Sequence, residues 1–157
     1  MRAVTGDVSR ENAMSDVKQI VVGVDGSDCS YRALRWAHAE ATEHGAELEV
    51  VTTWTPQPIS PATPGGMFVA ATDVQPKKLA EAVLAEAVAT LPETSAAAQV
   101  RHEVIMGGAA KVLIDLSGEA DLVVVGSRGH GAFAGMLLGS VSQHLVSQAS
   151  CTVVVVR

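Results

Sequence analysis

The sequence predicts an α/β fold: an open five-stranded parallel sheet in the strand order 3-2-1-4-5, with helices on both faces. Three observations carry this. Segments with strand character alternate with segments of helical periodicity, β-α-β-α-β-α-β-α-β, along the whole chain. Several strands are apolar throughout, as strands covered on both faces require. Right-handed crossovers leave few layouts for such a chain, and 3-2-1-4-5 is the common five-strand one. At 157 residues, there is enough chain for one core and too little for two comfortable domains.

Residues 1–16 are polar and aperiodic. They read as a flexible N-terminal extension, with Met14 as an alternative start, and the folded domain is expected over 17–157. Ile20-Val21-Val22-Gly23-Val24 is the first strand. Asp25-Gly26-Ser27-Asp28 is turn chemistry, and Ser27 or Asp28 can cap the helix that follows. That helix is expected over Tyr31 to His44, with Leu34, Ala37 and Ala41 on one face and Gly45 placed as its C-cap. Leu48 to Trp54 is the second strand. Thr55 to Pro76 holds five of the six prolines, a loop long enough for a lid or a partner contact.

Pro76 suits the first turn of a second helix. Its apolar face is expected to be Leu79, Val83, Leu84, Ala87, Val88 and Leu91, and Pro92 ends it. Val100 to Met106 is the third strand. Ala109 to Leu116 is a short helix with Val112, Leu113 and Leu116 inward. Asp121 to Val125 is a second fully apolar strand. A glycine-rich loop runs from Gly126 to Gly139. Ser140 to Gln148 is the last helix, with Val141 and Leu145 inward and His144 or Gln148 at the boundary. Val153 to Val156 closes the chain as a bare strand.

Composition narrows the function. The net charge of −6 argues against nucleic-acid polymers and anionic membranes as partners. No apolar run approaches a membrane span, and the start has no apolar core of a signal peptide. Cys29 and Cys151 do not make a disulfide framework. A cytoplasmic, reducing-compartment protein is expected.

In the 3-2-1-4-5 layout the first and fourth strands are neighbours, and the winding direction reverses between them. Ligands of open α/β sheets bind at that crevice, beside the carboxyl ends of the strands. The segments leaving those two strands are Asp25-Gly26-Ser27 and the Gly126–Gly139 loop. Five of the 14 glycines fall between 126 and 139. Gly126 and Gly129 permit close backbone approach. Gly139-Ser140 opens the last helix, whose free N–H groups and dipole favour a phosphate. Ser140 adds a hydroxyl, and Arg128 and His130 offer positive charge. Taken alone, the loop is as well explained as a plain connection. Asp25 can accept from a ribose hydroxyl, although alone it is better read as a turn or cap residue. A phosphate loop across the crevice strengthens the ribose reading.

These residues resemble the universal stress protein family, over about Lys18 to Arg157. The resemblance rests on Val-Val-Gly-Val-Asp-Gly-Ser at 21–27. It rests more strongly on Gly126-x2-Gly129-x9-Gly139-Ser140, followed by Val141 and the terminal Cys-Thr-Val-Val-Val-Val. It implies the adenine nucleotide alpha hydrolase-like fold and a stress-response or regulatory protein that binds ATP, with or without Mg. On the matching positions, Asp25 would hold the ribose, and Gly126, Gly129, Gly139 and Ser140 the phosphates. Backbone at Val24, Thr53 and Val125 would flank the adenine and ribose, Val141 would continue the cradle, and Arg128 would lie beside it. Cyclic AMP is the alternative ligand on the same cradle. The resemblance also implies a homodimer paired through 152–156, and a bare apolar edge strand invites such pairing. The family pattern does not explain residues 1–16, and the 55–76 loop is variable in it.

Other chemistries have weaker support. There is no Gly-Lys-Ser/Thr, so P-loop phosphotransfer is unsupported. His38 and His44 are wrongly spaced for one helix face, which argues against a histidine metal site. An enzyme needs a placed base or metal carboxylates, and only Asp25 is on offer. Slow ATP hydrolysis by positioning is the enzymatic alternative. A phospho-aspartate receiver needs an aspartate where the third strand ends, and Met106-Gly107-Gly108 stands there.

Overall fold

Five strands and four helices alternate along the chain in the computed structural model, which describes residues 17–56, 74–92, 99–130 and 137–157. They are β1 (Gln19–Gly23), α1 (Asp28–His44), β2 (Glu47–Trp54), α2 (Val74–Ala89), β3 (Val100–Met106), α3 (Ala109–Leu116), β4 (Leu122–Gly126), α4 (Ser140–Gln148) and β5 (Thr152–Val156). The expectations for the extension 1–16, for residues 57–73 and for 131–136 within the glycine-rich loop lie outside the described residues.

The sheet order is β3-β2-β1-β4-β5, with every neighbouring pair parallel. Successive side chains of a strand point to opposite faces. Ile20, Val22, Leu48, Val50, Leu122 and Val124 therefore share a core with α1 and α2. Val21, Val51, Val123 and Val125 share the other with α3 and α4. Helices cover both faces, which is why β1 and β4 need no polar residue in their interiors.

α1 packs through its small side chains. Ala33, Leu34, Ala37 and Ala41 are fully buried, and alanine lets the helix lie close to the sheet. Ser27 is its N-cap, accepting from the Ser30 N–H. Gly45 is its C-cap, in the left-handed conformation at φ 63°, with its N–H on the Ala41 carbonyl. The helix begins at Asp28, earlier than the apolar pattern indicated, because the cap rather than the first apolar residue sets the start.

In α2 the expected face stands except at Leu79, which is corrected. Leu79 is 68% exposed, whereas Ala80, Leu84 and Ala87 are buried. The buried stripe runs 80-84-87, with Val88 and Leu91 partly buried beside it. This helix is rich in alanine, so the pattern had little contrast with which to place Ala80 rather than Leu79 at the start of the buried stripe. In α4, Leu145 and Ser142 face inward, while His144 and Gln148 are exposed.

At the opposite end of the sheet from the crevice, the Asp121 carboxylate accepts from the Lys18 N–H (2.8 Å) and the Gln19 N–H (3.0 Å). These bonds pin the entry to β1 beside β4. They also hold the Asp121 carboxyl below the usual aspartate value. The two edges differ. Edge strand β3 exposes Arg101, His102 and Glu103, and Arg101 pairs with Glu47. Edge strand β5 carries half-buried valines and no charge. Among the described residues no helix is long and apolar enough to cross a membrane.

Candidate functional site

The crevice forms because β1 stops pairing before its neighbours stop. β1 pairs with β4 only as far as Val22↔Val124, whereas β4 continues with β5 to Gly126↔Val156. On the other side, β1 pairs with β2 to Gly23↔Val51. The last rung between them is the Val24 N–H on the Val51 carbonyl, 2.9 Å. In a parallel ladder the next rung would join the Thr53 N–H to the Val24 carbonyl. The strands have parted there. The Val24 carbonyl and the Thr53 N–H and carbonyl thus border the opening, with Thr53 level with Asp25. Hydrogen bonding to a planar base through backbone groups is what such an edge offers.

Asp25 lies against the glycine-rich loop. Its Oδ1 accepts from the Ser27 N–H (3.0 Å) and the Ser27 hydroxyl (2.6 Å). Its Oδ2 accepts from the His130 N–H (3.3 Å). Partial burial pushes this carboxyl up, but hydrogen bonds, those from Ser27 foremost, outweigh it and leave it below the ordinary value. Asp25 is therefore an ionised acceptor at neutral pH. Its turn role is also real, since it organises the Asp25-Gly26-Ser27 corner, where Gly26 has φ 86°.

The glycines of the loop do different work. A Cβ on Gly126 would meet the Cys29 carbonyl carbon at 2.8 Å and the Ser30 nitrogen at 2.9 Å. Gly126 thus lets the first turn of α1 press against the end of β4. A Cβ on Gly129 would collide with Asp25 Oδ2, so Gly129 admits the carboxylate to the loop. A Cβ on Gly139 would have nothing nearer than 3.6 Å, where it would approach Arg128, Ser127 and Gly129. No neighbour among the described residues demands a glycine at 139, whose φ of −74° suits any residue.

The ends of the loop are tied together. The Gly139 N–H donates to the Ser127 carbonyl (2.7 Å), and the Ser127 N–H to the Val156 carbonyl (2.6 Å). The buried Ser142 hydroxyl lies 3.2 Å from both the Ser127 and Gly139 carbonyls. Sequence reasoning singled out Ser140 and missed Ser127 and Ser142. Their signal was faint: a serine after β4 and one on the inner face of α4, 15 positions apart. With Gly139 so held, α4 has no side-chain cap. The N–H groups of its first turn and the exposed Ser140 hydroxyl have no protein partner among the described residues. Val141 packs its side chain into the core and leaves its N–H at the helix mouth.

The structure therefore brings Asp25 against Gly129 and His130 and puts Gly139 beside Gly129 and Arg128, with Ser140 and Val141 following at the start of α4, Val24 preceding Asp25, and Thr53 level with Asp25 on β2. Val125 and Gly126 are the floor: Val125 is buried, and Gly126 packs beneath the start of α1. Arg128 is exposed at the rim, and its carbonyl lies 3.4 Å from the Ser27 hydroxyl. Cys29 is buried under the same corner, with Arg32 Nη2 3.1 Å from its sulfur. Among the described residues, no three His, Cys, Asp or Glu side chains gather as a metal site. The arrangement offers an ionised acceptor, a backbone edge and a free helix N-terminus. Those are complementary to sugar hydroxyls, a base and phosphate, respectively.

Known proteins resemble this chain over nearly all of it. The family model described as the universal stress protein family matches residues 16–157. The universal stress protein Rv2623 of Mycobacterium tuberculosis is 37% identical over 138 residues, covering 88% of this chain and 44% of its own. The chain thus spans about half the length of the curated relatives it matches. Among solved structures, the universal stress protein UspA from Lactobacillus plantarum has a TM-score of 0.68 at 24% identity, covering 90% of this chain and 98% of that one. A universal stress protein in complex with cAMP has a TM-score of 0.66 at 29% identity, covering 90% and 97%.

Proposed function

The chain belongs to the universal stress protein family, and from that premise we propose that it binds ATP in the crevice between β1 and β4 and acts as a nucleotide-dependent regulatory protein. The observation that supports this most is the free start of α4, where Gly139 is a glycine although no neighbour among the described residues requires one. A helix start whose N–H groups have no partner among the described residues, entered through a glycine where a Cβ would make only ordinary contacts, suits a ligand that approaches the backbone closely.

Each part of the nucleotide has a matching surface. The Asp25 carboxylate takes the ribose hydroxyls. The backbone at Val24 and Thr53 faces the adenine. Gly129, Gly139, Ser140 and Val141 hold phosphate through N–H groups and the Ser140 hydroxyl, with Gly126 and Val125 as the floor and Arg128 at the rim. This cradle is built of backbone, so an acidic chain can hold an anion without a basic patch. Mg, when it accompanies ATP, enters coordinated to the phosphates. Cyclic AMP is the second reading, favoured by the cAMP complex of the 29% identical relative. The same cradle fits one phosphate as well as three.

Binding is coupled to self-association through β5. Val156 turns its carbonyl to β4, where it accepts from Ser127. By the alternation of a parallel strand, Val153 and Val155 turn their N–H and carbonyl groups to the open edge. An uncharged edge of this kind pairs with a second copy of itself. Because Val156 also holds Ser127 at the root of the phosphate loop, the edge and the nucleotide site share a contact.

The test is mass spectrometry of the small molecule released when the purified protein is denatured, followed by calorimetry with ATP and cyclic AMP. Retained or tightly bound ATP supports the proposal, and preferential cyclic AMP binding supports the second reading. Failure of both nucleotides to bind overturns both. Turnover well above background, abolished by a crevice substitution, would add a slow ATPase activity.

A further inference from the structure

The Asp25 carboxylate is already engaged in the free protein, and what engages it is the phosphate loop itself. A carboxylate has about four acceptor positions. Ser27 fills two on Oδ1 with its N–H and hydroxyl. The His130 N–H takes one on Oδ2. The same Oδ2 lies so close to Gly129 that no Cβ fits between them. One position remains for a ribose that brings two hydroxyls.

The three present donors are unequal. The Ser27 contacts are 2.6 and 3.0 Å and lie within one tight turn, whereas the His130 contact is 3.3 Å and spans 105 residues of sequence. The His130 contact is the weaker one, and it belongs to the turn that borders the cradle. We propose that Asp25 and the His130 N–H form a latch, which closes the 128–130 turn in the free protein and which the ribose hydroxyls displace on binding. This inference rests on the ribose site described above and adds its regulation. Sugar recognition on one wall of the crevice thereby releases the loop on the other, and an adenine nucleotide without ribose hydroxyls binds without opening it.

The latch is tested by the ratio of two affinities, those for ATP and for 2′,3′-dideoxy-ATP, measured by calorimetry. His130→Pro removes the N–H, and His130→Ala removes the ring but keeps the N–H. The latch costs ATP the equivalent of one hydrogen bond and costs the dideoxy compound nothing. His130→Pro should therefore raise the preference for ATP about three- to tenfold over wild type, while His130→Ala leaves it unchanged. Use of a ratio keeps the result readable if proline also perturbs phosphate binding, since both ligands carry the same phosphates. A wild-type preference for ATP that stays the same in His130→Pro overturns the latch and leaves the ribose site standing. Equal binding of the two compounds by wild type and by His130→Pro alike overturns the ribose site, and the latch with it.

Discussion

Replacing Gly126 and Gly139 by alanine, one at a time, should have opposite consequences, although both glycines belong to one motif. At Gly126 the new methyl would lie 2.8–2.9 Å from three atoms of the first turn of α1, two of them backbone. Ordinary contact begins several tenths of an ångström further out, and backbone cannot swing aside as a side-chain tip can. Overpacking of this kind costs about 1–3 kcal/mol. The stiffer unfolded chain returns about 0.4–1 kcal/mol. A net loss of about 1–2 kcal/mol corresponds to a fall in Tm of roughly 2–8 °C for a domain of this size. At Gly139 the nearest atom is 3.6 Å away and the backbone is unstrained. The weaker N-cap and the stiffer unfolded chain roughly offset each other there, each on the order of 0.5–1 kcal/mol. Gly139→Ala should melt within about 2 °C of wild type and bind ATP more weakly. Thermal melts followed by circular dichroism, with calorimetry on the same samples, decide the matter. A Gly126→Ala protein as stable as wild type would refute the division of labour, as would a Gly139→Ala protein that loses stability but keeps its ATP affinity.

Further outcomes follow from other contacts. The Thr52 hydroxyl is buried without a partner among the described residues, so Thr52→Val should stabilise by about 1 kcal/mol, seen as a higher Tm; a lower Tm would show that the hydroxyl has a use. Asp121 has a lowered carboxyl pKa, so its contribution is fully present above the ordinary value of 3.8 and is lost as pH falls through the lower folded value. Asp121→Asn should thus flatten the acid end of the stability–pH profile in urea titrations, and an unchanged profile would contradict that assignment. Val155→Pro removes an outward N–H from β5 without touching its ladder to β4. If the proposed β5 pairing holds, wild type should sediment as a dimer and Val155→Pro as folded monomer in analytical ultracentrifugation, and a dimer that persists in Val155→Pro would contradict pairing through β5.

Much of this was legible in the sequence, and the parts that were not share a cause. Strands β1 and β4 declared themselves by uninterrupted valine runs, and α1 by its Ser27 and Gly45 caps. The switch-point crevice followed from element order alone. Leu79 was misplaced because hydrophobicity pulls a leucine inward on paper, whereas close packing of α2 against β2 and β3 favours Ala80. The site's acceptor and glycines were readable as a motif. Their contacts were not: His130 meets Asp25 across 105 positions, and Ser142 reaches back 15. Such hydrogen bonds leave no periodic trace. The separate roles of Gly126 and Gly139 were hidden for a related reason, since sequence records the missing side chain and only structure records what fills its place.

The most direct test of the nucleotide site is calorimetry of ATP binding to wild type, Gly139→Val and Asp25→Ala, each checked for a native circular dichroism spectrum. Wild type should bind, Gly139→Val should lose most of that affinity because its side chain blocks the phosphate approach, and Asp25→Ala should bind more weakly for want of a ribose acceptor. Two folded variants that bind ATP as wild type does would contradict the account.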